Sequence, residues 1–599
     1  MTTMTSLSIR PRPYPASRAF ALTKQGIPPL LARVLAGRGV SSTEDLGYSL
    51  KALAHHSLLR GAQDAARQIA DAIAAGKRFV VIADYDCDGA TACAVAVRGL
   101  RAFGADVQYV VPDRMVHGYG LTPSVVDLAL ERYPHVEVLV TVDNGVASHA
   151  GVSHAQSRGL DVLVTDHHLP AKGKALPPAS VIVDPSQPGC QFPSKALAGV
   201  GVIWYVLWAL QDEYRARGIT PRTPGFKVSQ LLPLVAVGTV ADVVPIDLNN
   251  RALVHAGLER IRQGNSFPGI EALAASAFPG QPLRPERTDL KKLVTSDIAF
   301  GIGPRINAAG RLETMDIGIE CLTTDDPVRA LELAQELALI NQTRKDIEHE
   351  TVVEAVRQAE ALIASHLEDQ GEGAAHERRT LCVHSPGWHA GVIGIVAGRI
   401  KENRYRPTFV LTSDPESGEM KGSGRSIPGF NLKDALDQVD KAHPGLMLKF
   451  GGHAMAAGLT LRPGGFETFR EAFEVEARAS LSEELLNQTV EFDGSLSGMQ
   501  LQPETAHELR GPTWGQMFLE PSFCDEFSVI EAKIGGARKD QLNMKVEREG
   551  VELKAVKFRY EGSVPKVGTT VRLVYKLQIK TDKKGNETAE LLLEHVLMA

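Results

Sequence analysis

The stretch Val80-Val81-Ile82-Ala83-Asp84-Tyr85-Asp86-Cys87-Asp88-Gly89 decides how the rest of the chain is read. Four apolar residues running into three alternating acids and a glycine describe a buried parallel strand that delivers charge to the carboxyl edge of a sheet, where open α/β folds bind ligands. Three carboxylates this close repel one another, and a cation among them relieves the repulsion at neutral pH. A solvated Asp-rich loop has the same spelling, so the reading depends on what the other residues add.

They add a pattern. From 58 to 325 the chain alternates strands and helices as a doubly wound parallel sheet does: helix 89–104, strand 107–111, helix 122–132, and strands 136–142, 160–165 and 181–183. Acids recur at the strand ends, with Asp143 after Val142, Asp166-His167-His168 after Thr165, and Asp184 after Val183. In a parallel sheet these ends share one edge, so residues about 80 positions apart converge on one site. Such a set of carboxylates and imidazoles suits divalent metal ions. The apolar run 231–241 then presents Asp242 from a turn containing Gly238. Gly303-Pro304-Arg305-Ile306-Asn307-Ala308-Ala309-Gly310-Arg311 sets Arg305, Asn307 and Arg311 among small residues, a composition suited to an anion.

At 599 residues three or four domains are expected. A net charge of −6 argues against a globally basic nucleic-acid binder, yet residues 531–599 hold 14 Lys and Arg against 10 Asp and Glu, enough for a local basic module. The six cysteines form no C-x-x-C pair, which fits free thiols in a reducing cytoplasm. Residues 1–15 lack the apolar core of a secretory signal, and the longest apolar stretch, 197–210, fits a buried helix and is too short to span a bilayer.

Residues 1–57 read as a surface-wrapping lead-in. Asp326-Pro327 starts a long helix, 326–372, that reaches about 60 Å if it does not break near 342–345. A flexible joint at 371–377 leads to a second α/β domain, 379–477. Its glycine-rich segments carry His389, Ser423, Arg425 and His453, and glycines beside them would let backbone N–H groups approach phosphate. Residues 488–599 alternate as a small closed β-barrel does, with strands at 542–546, 551–558, 570–579 and 590–596. Lys554, Lys557, Arg559, Arg572, Lys576 and Lys580 beside Phe558, Tyr560 and Tyr575 suit a groove for single-stranded nucleic acid.

Asp84-Tyr85-Asp86-Cys87-Asp88-Gly89, Val142-Asp143-Asn144-Gly145, Asp166-His167-His168, Gly238 to Asp242, Gly303 to Arg311 and Gly451-Gly452-His453 resemble, in order and spacing, the DHH phosphoesterase superfamily, in its single-strand-specific exonuclease branch. The resemblance covers 83–458 strongly and the terminal barrel more loosely. It implies a DHH domain, a connecting helix, a DHH-associated domain with the active site in the cleft, and an oligonucleotide-binding (OB) barrel. It also implies two divalent cations, manganese or magnesium, held by Asp84, Asp86, Asp88, Asp143, His167 and Asp242, with His168 close by. Arg114, Arg305, Ser423 and Arg425 would surround substrate phosphates, with Asn307, Arg311 and His389 among the substrate-binding residues, and His453 would meet the scissile phosphate. Ile82 departs from a related pattern that has histidine there, which implies that the cation nearest Asp84 is held differently and more weakly.

The activity implied is hydrolysis of single-stranded DNA from its 5′ end to mononucleotides, in recombination and repair. Implied partners are a single-strand-binding protein and a helicase, for a monomeric enzyme. Two rivals remain open: hydrolysis of very short or cyclic nucleotides, which the extra barrel and length oppose, and non-catalytic strand binding, which the intact acids oppose. No G-x-S-x-G elbow follows a strand, so a serine triad is unattractive.

Overall fold

The computed structural model describes residues 7–113, 116–171, 173–277, 290–369 (side chains to 364), 378–582 and 585–598. The chain divides into two compact units, Pro11–Leu339 with Phe492–Ala599, and Met1–Arg10 with Ile340–Glu491.

The N-terminal segment, expected to wrap the surface, sends one helix into the core. Its first strand, β1 (Ser8–Pro11), pairs with a late one, Thr489–Phe492. The helix Pro29–Ala36 buries Leu30, Leu31, Val34 and Leu35 in the cluster that also holds Val81 and Val140 of the large sheet. Apolar residues at this spacing form one helical face that must find a partner, and the nearest is the main core.

That sheet has five parallel strands, β2 (Arg78–Ala83), β3 (Asp106–Val110), β4 (Val138–Val142), β5 (Asp161–Thr165) and β6 (Val181–Val183), in the order β3-β2-β4-β5-β6. Alternation along β2 sends Phe79, Val81 and Ala83 into the large cluster and Val80 and Ile82 into a smaller one with Val125 and Val152. Ile82 is therefore a core residue. The order reverses between β2 and β4, and the crevice at such a switch point is where doubly wound sheets bind ligands. Asp84 follows the first of these strands and Asp143 the second.

Two expectations in this unit need correction. Residues 232–241 form the helix Leu232–Ala241, so Asp242 caps a helix and does not sit on a glycine turn. Gly238 is there for space, since a Cβ would lie 2.1 Å from Thr91 Oγ1. The segment expected to cradle an anion is likewise the helix Gly303–Leu312.

The helix Pro327–Asp369 runs through all 43 residues without a break at 342–345, a length of about 64 Å at ~1.5 Å per residue. Arg344 at the expected break lies 2.6 Å from Glu348, one turn on, and reinforces the helix. The joint at 371–377 falls outside the described residues. In the second unit β7 (Leu381–His384), β8 (Thr408–Ser413), β9 (Met420–Arg425), β10 (Met447–Gly452) and β11 (Ala456–Leu461) form a sheet ordered β10-β11-β9-β8-β7. Two of the glycine-rich stretches read as anion loops are thus a strand and a hairpin. Ser423 pairs with Val410 on one side and Gly458 on the other, which commits this backbone to ladders. Gly424 accommodates the Phe409 ring, 2.4 Å from where its Cβ would be.

After β12 (Thr489–Phe492), the strands β13 (Phe523–Gly535), β14 (Gln541–Arg548), β15 (Val551–Lys557), β16 (Thr570–Thr581) and β17 (Glu587–Met598) close a barrel in the order β13-β14-β15-β17-β16. The sequence reading missed β13 because Asp525 interrupts its apolar alternation. That carboxylate is nevertheless buried, accepting from Tyr575 Oη at 2.7 Å and lying 3.2 Å from Arg548. All six cysteines are free. Among the described residues no helix is long and apolar enough to cross a membrane.

Candidate metal centre and phosphate site

The acidic loop after β2 is held open by its own backbone and by two helices. Asp86 caps the helix Cys87–Phe103, accepting from Gly89 N–H at 3.0 Å, and Asp84 accepts from Tyr85 N–H at 2.8 Å. Asp88 accepts from Gly199 N–H at 2.6 Å and Val200 N–H at 2.9 Å, the first residues of the helix Gly199–Ala216. Helix N-termini stabilise negative charge, so that helix orients a carboxylate the sheet alone would leave free. Asn307 Oδ1 accepts from Cys87 N–H at 2.8 Å, so Asn307 braces the aspartate loop.

After β4 the backbone turns sharply. Asp143 has φ +63°, and Gly199 lies so close that a Cβ there would sit 2.5 Å from Asp143 Cβ. Asn144 staples the two strand ends, donating to Val142 O at 2.9 Å and Ile82 O at 3.2 Å. After β5, Asp166 accepts from the N–H groups of Val146, His167 and His168 and pairs with His168 Nδ1 at 2.8 Å. Asp166 is fully employed in this way and acts on the site by orienting His168.

These elements bring the expected ligands together. Donor atoms lie within 4.8 Å of one another in three overlapping sets: Asp84, Asp86 and Asp143; Asp143, His167 and His168; and Asp88, His167 and Asp242. His167 Nε2 is 3.1 Å from Asp143 Oδ1 and 3.7 Å from Asp242 Oδ2. None of these three buried atoms has a hydrogen-bond partner. Buried polar atoms are nearly always satisfied, so three orphans converging on one point, two carboxylate oxygens and an imidazole nitrogen, fit a divalent cation.

The electrostatics agree. Burial, then repulsion from Asp242, lifts Asp88 to about 8. Burial and neighbouring carboxylates hold Asp84 and Asp143 well above the usual carboxylate range. Burial opposes a charge on His168, but its hydrogen bond to Asp166 wins and lifts it to about 9. His167 also rises against its burial, because Asp242 and Asp88 face it. A cation would relieve the carboxylates together, which is the function such strained clusters serve.

One further group escaped the sequence reading, and so did the setting of another. Tyr119 Oη lies 3.1 Å from His168 Nε2, with its ring edge-on to Tyr85. Only its setting between two glycines, Gly118 and Gly120, hinted at it. Asp184 is fully buried with one oxygen unpaired, and burial and Asp166 push it to about 7. Its place at the end of β6 was visible in the sequence; its burial was not.

The expected phosphate residues fare unevenly. Arg305 donates to Gly301 O at 2.7 Å and Ser276 O at 2.6 Å, both helix-end carbonyls, and its Nε is buried without a hydrogen-bond partner. Arg311 is half-buried on the same helix, and Arg114 lies outside the described residues. In the second unit Arg425 Nη1 is 3.2 Å from Ser423 Oγ. Both side chains point at Gly394, near the start of the helix Ile393–Arg404, where a Cβ would be 2.9 Å from Ser423 Oγ and 3.1 Å from Arg425 Nη2. A hydroxyl and a guanidinium, which also donates to Gly424 O at 2.8 Å, thus lie together beside a helix N-terminus. His389 sits in the preceding turn with Nδ1 accepting from Gly391 N–H, and His453 is exposed between β10 and β11.

Part of the barrel's basic stripe is paired within the protein. Lys576 lies 3.0 Å from Glu520 and 3.6 Å from Glu594, and Lys580 lies 3.0 Å from Glu590. Lys557 donates to Glu594 O. Tyr575 is fully buried, whereas Phe558 is exposed.

A switch-point cluster of carboxylates with an Asp-His-His triplet, a long helix, a second α/β unit and a closed OB-type barrel define a metal-dependent phosphoesterase of the DHH class. The sequence matches the DHH family, N-terminal domain, over residues 78–239, the DHHA1 domain over 378–479 and the RecJ OB domain over 492–595. The chain belongs to the RecJ family. It is 42% identical over 577 residues to the single-stranded-DNA-specific exonuclease RecJ of Escherichia coli, covering 95% of this chain and 96% of that protein. With RecJ of Thermus thermophilus it shares 34% identity over 445 residues, 74% of this chain and 57% of that one. The crystal structure of the Thermus thermophilus protein in complex with Mn2+ matches with a TM-score of 0.76 at 28% identity, covering 100% of this chain and 80% of that one. The corresponding Mg2+ complex matches with a TM-score of 0.72 at 27% identity, covering 100% of this chain and 79% of that one.

Proposed function

We propose that this chain is an exonuclease that hydrolyses single-stranded DNA at a two-cation centre, from the 5′ end to mononucleotides, in recombination and repair. The observation that carries the reading is the convergence of Asp143 Oδ1, His167 Nε2 and Asp242 Oδ2, buried and without hydrogen-bond partners, in a member of this family. Asp84, Asp86 and Asp143 would hold one cation and Asp88, His167 and Asp242 the other, with Asp143 close enough to serve both. Bound manganese or magnesium ions neutralise the phosphodiester, lower the pKa of water and stabilise the leaving oxygen.

The protein's own groups prepare that chemistry. Asp88 is fixed by two backbone N–H groups, and His168 is oriented by Asp166 and keeps a proton that favours an anionic substrate. Ser423, Arg425 and His389 are proposed to hold a terminal phosphate, and His453 to donate to the phosphoryl oxygen as charge develops. The direction of digestion, a single-strand-binding protein and a helicase as partners, and a monomeric state rest on the family resemblance. A cytoplasmic location fits six free thiols.

The test is digestion of end-labelled single-stranded DNA and RNA with manganese, comparing phosphorylated and hydroxyl 5′ ends. Mononucleotides should appear from the 5′ end of DNA, faster for phosphorylated ends. Equal digestion of blunt duplex, or full activity in excess chelator, would refute the reading.

A further inference from the structure

One ligand of the metal centre stands apart in how it is held. Asp84, Asp86, Asp88, Asp143 and His167 lie on the sheet edge or on the helix that follows it, whereas Asp242 ends the helix Leu232–Ala241 and begins a loop, 242–247. The next residue, Val243, has φ +63° and an exposed side chain. A β-branched residue adopts that conformation only when its surroundings enforce it.

Three residues further on, the loop is gripped by the C-terminal part of the same unit. Gly515-Gln516-Met517-Phe518 forms a tight turn closed by mutual backbone hydrogen bonds between Gly515 and Phe518, at 2.9 and 3.1 Å. Gln516 O accepts from Ile246 N–H at 2.8 Å. Gly515 packs so closely on Ile246 that a Cβ would lie 2.5 Å from Ile246 Cγ1. Phe518 stacks on Trp514 and carries the Arg251 guanidinium 4.0 Å above its ring. Arg251 in turn donates to Ile246 O at 3.2 Å and to Leu46 O and Asp45 O, and Arg38 covers Trp514 and donates to Leu519 O. Both the N–H and the C=O of Ile246, four residues after Asp242, are thus gripped by residues that answer to one turn. At the far end Asp247 caps the next helix, accepting from Asn250 N–H, and Asn250 donates to Pro245 O.

We infer that the Trp514–Phe518 turn preceding the barrel is a positioning element for Asp242, holding the 242–247 loop in the conformation that aims this carboxylate at His167 and Asp88. The consequence is that the nucleic-acid-binding end of the chain and the metal centre are mechanically joined. The inference rests on the two-cation reading, and its test separates the two.

Manganese binding to the full-length protein is measured by isothermal titration and by the electron paramagnetic resonance of free Mn2+, for wild type, Phe518→Ala, Phe518→Tyr, Gly515→Val and Asp242→Asn, with thermal unfolding in parallel. Outer residues that orient metal ligands typically change affinity by about 10–100-fold. Phe518→Ala and Gly515→Val should weaken one of two sites by about tenfold or more and leave the other unchanged. Phe518→Tyr, which keeps the ring beneath Arg251, should restore wild-type affinity, and Asp242→Asn should weaken the same site as Phe518→Ala. Wild-type affinity at both sites in Phe518→Ala and Gly515→Val, or equal weakening of both sites in step with lost thermal stability, overturns the positioning role. Absence of manganese binding by wild type overturns the two-cation reading itself.

Discussion

The edge of the parallel sheet and the outer face of the barrel are both concentrations of charge, and they behave in opposite ways. At the sheet edge, carboxylates and histidines from three strand ends and a helix end face one another, and Asp143 and Asp242 each keep a buried oxygen without a hydrogen bond. On the barrel, Lys576 and Lys580 face Glu520, Glu594 and Glu590 and are spent within the protein. Like charges forced together demand an outside ion, whereas opposite charges side by side need nothing more. Whether a charged cluster is a site thus depends on what faces it.

The largest effect that sharpens this contrast is at the sheet edge. Asp143→Ala and His167→Ala should each lower single-strand hydrolysis by about 10³-fold, the loss expected when about 4 kcal/mol of cation-borne stabilisation is removed. Turnover within tenfold of wild type, in protein with a normal circular dichroism spectrum, would break the assignment.

A second consequence concerns pH. Asp88 is raised in the fold from 3.8 to about 8, so its contribution favours the metal-free fold below pH 3.8 and is lost as pH rises through about 8. His168, raised from 6.5 to about 9, acts in the same direction over its own window. The melting temperature in chelator should therefore fall from mildly acidic to mildly alkaline buffer. With manganese, which needs deprotonated ligands, the gain in melting temperature should grow with pH. A manganese-induced gain that shrinks toward alkaline pH would contradict the cluster's electrostatics.

On the barrel the effects should be smaller. Phe558→Ala removes an exposed ring and should weaken single-stranded DNA binding by about 1–3 kcal/mol, readable by fluorescence anisotropy. Lys580→Ala should change the salt dependence of that binding by well under the ~0.7 expected for one lost phosphate contact, because Glu590 already holds the lysine. A full decrement would mean that the lysine leaves its glutamate for DNA, and the contrast between the two regions would collapse.

Much of the catalytic sheet was legible because its signals are local. An apolar run ending in acids marks a strand and its carboxyl end, and parallel topology then gathers Asp84, Asp143 and Asp166 along one edge without further information. The errors were of another kind. Gly422 and Gly424 read as anion loops, yet they are strand positions emptied to fit Leu459 and Phe409, partners on other strands. The contacts of Arg305 with Ser276 O and Gly301 O were likewise invisible, since neither partner stands beside it in a readable pattern. Residues 29–36 read as surface because their core partners lie far along the chain.

The sequence by itself determined the order of units, the doubly wound sheet, the long helix and the acids and histidines placed at strand ends, since periodicity and strand polarity are properties of neighbouring residues. Only the tertiary structure decided that Asp166 pairs with His168, that helix Gly199–Ala216 steadies Asp88, that Lys576 and Lys580 of the barrel are already paired, and that the loop after Asp242 is held by a turn some 270 residues later. Each of these is a contact between residues distant in sequence, and the cost or gain of a buried charge is set by what surrounds it in space.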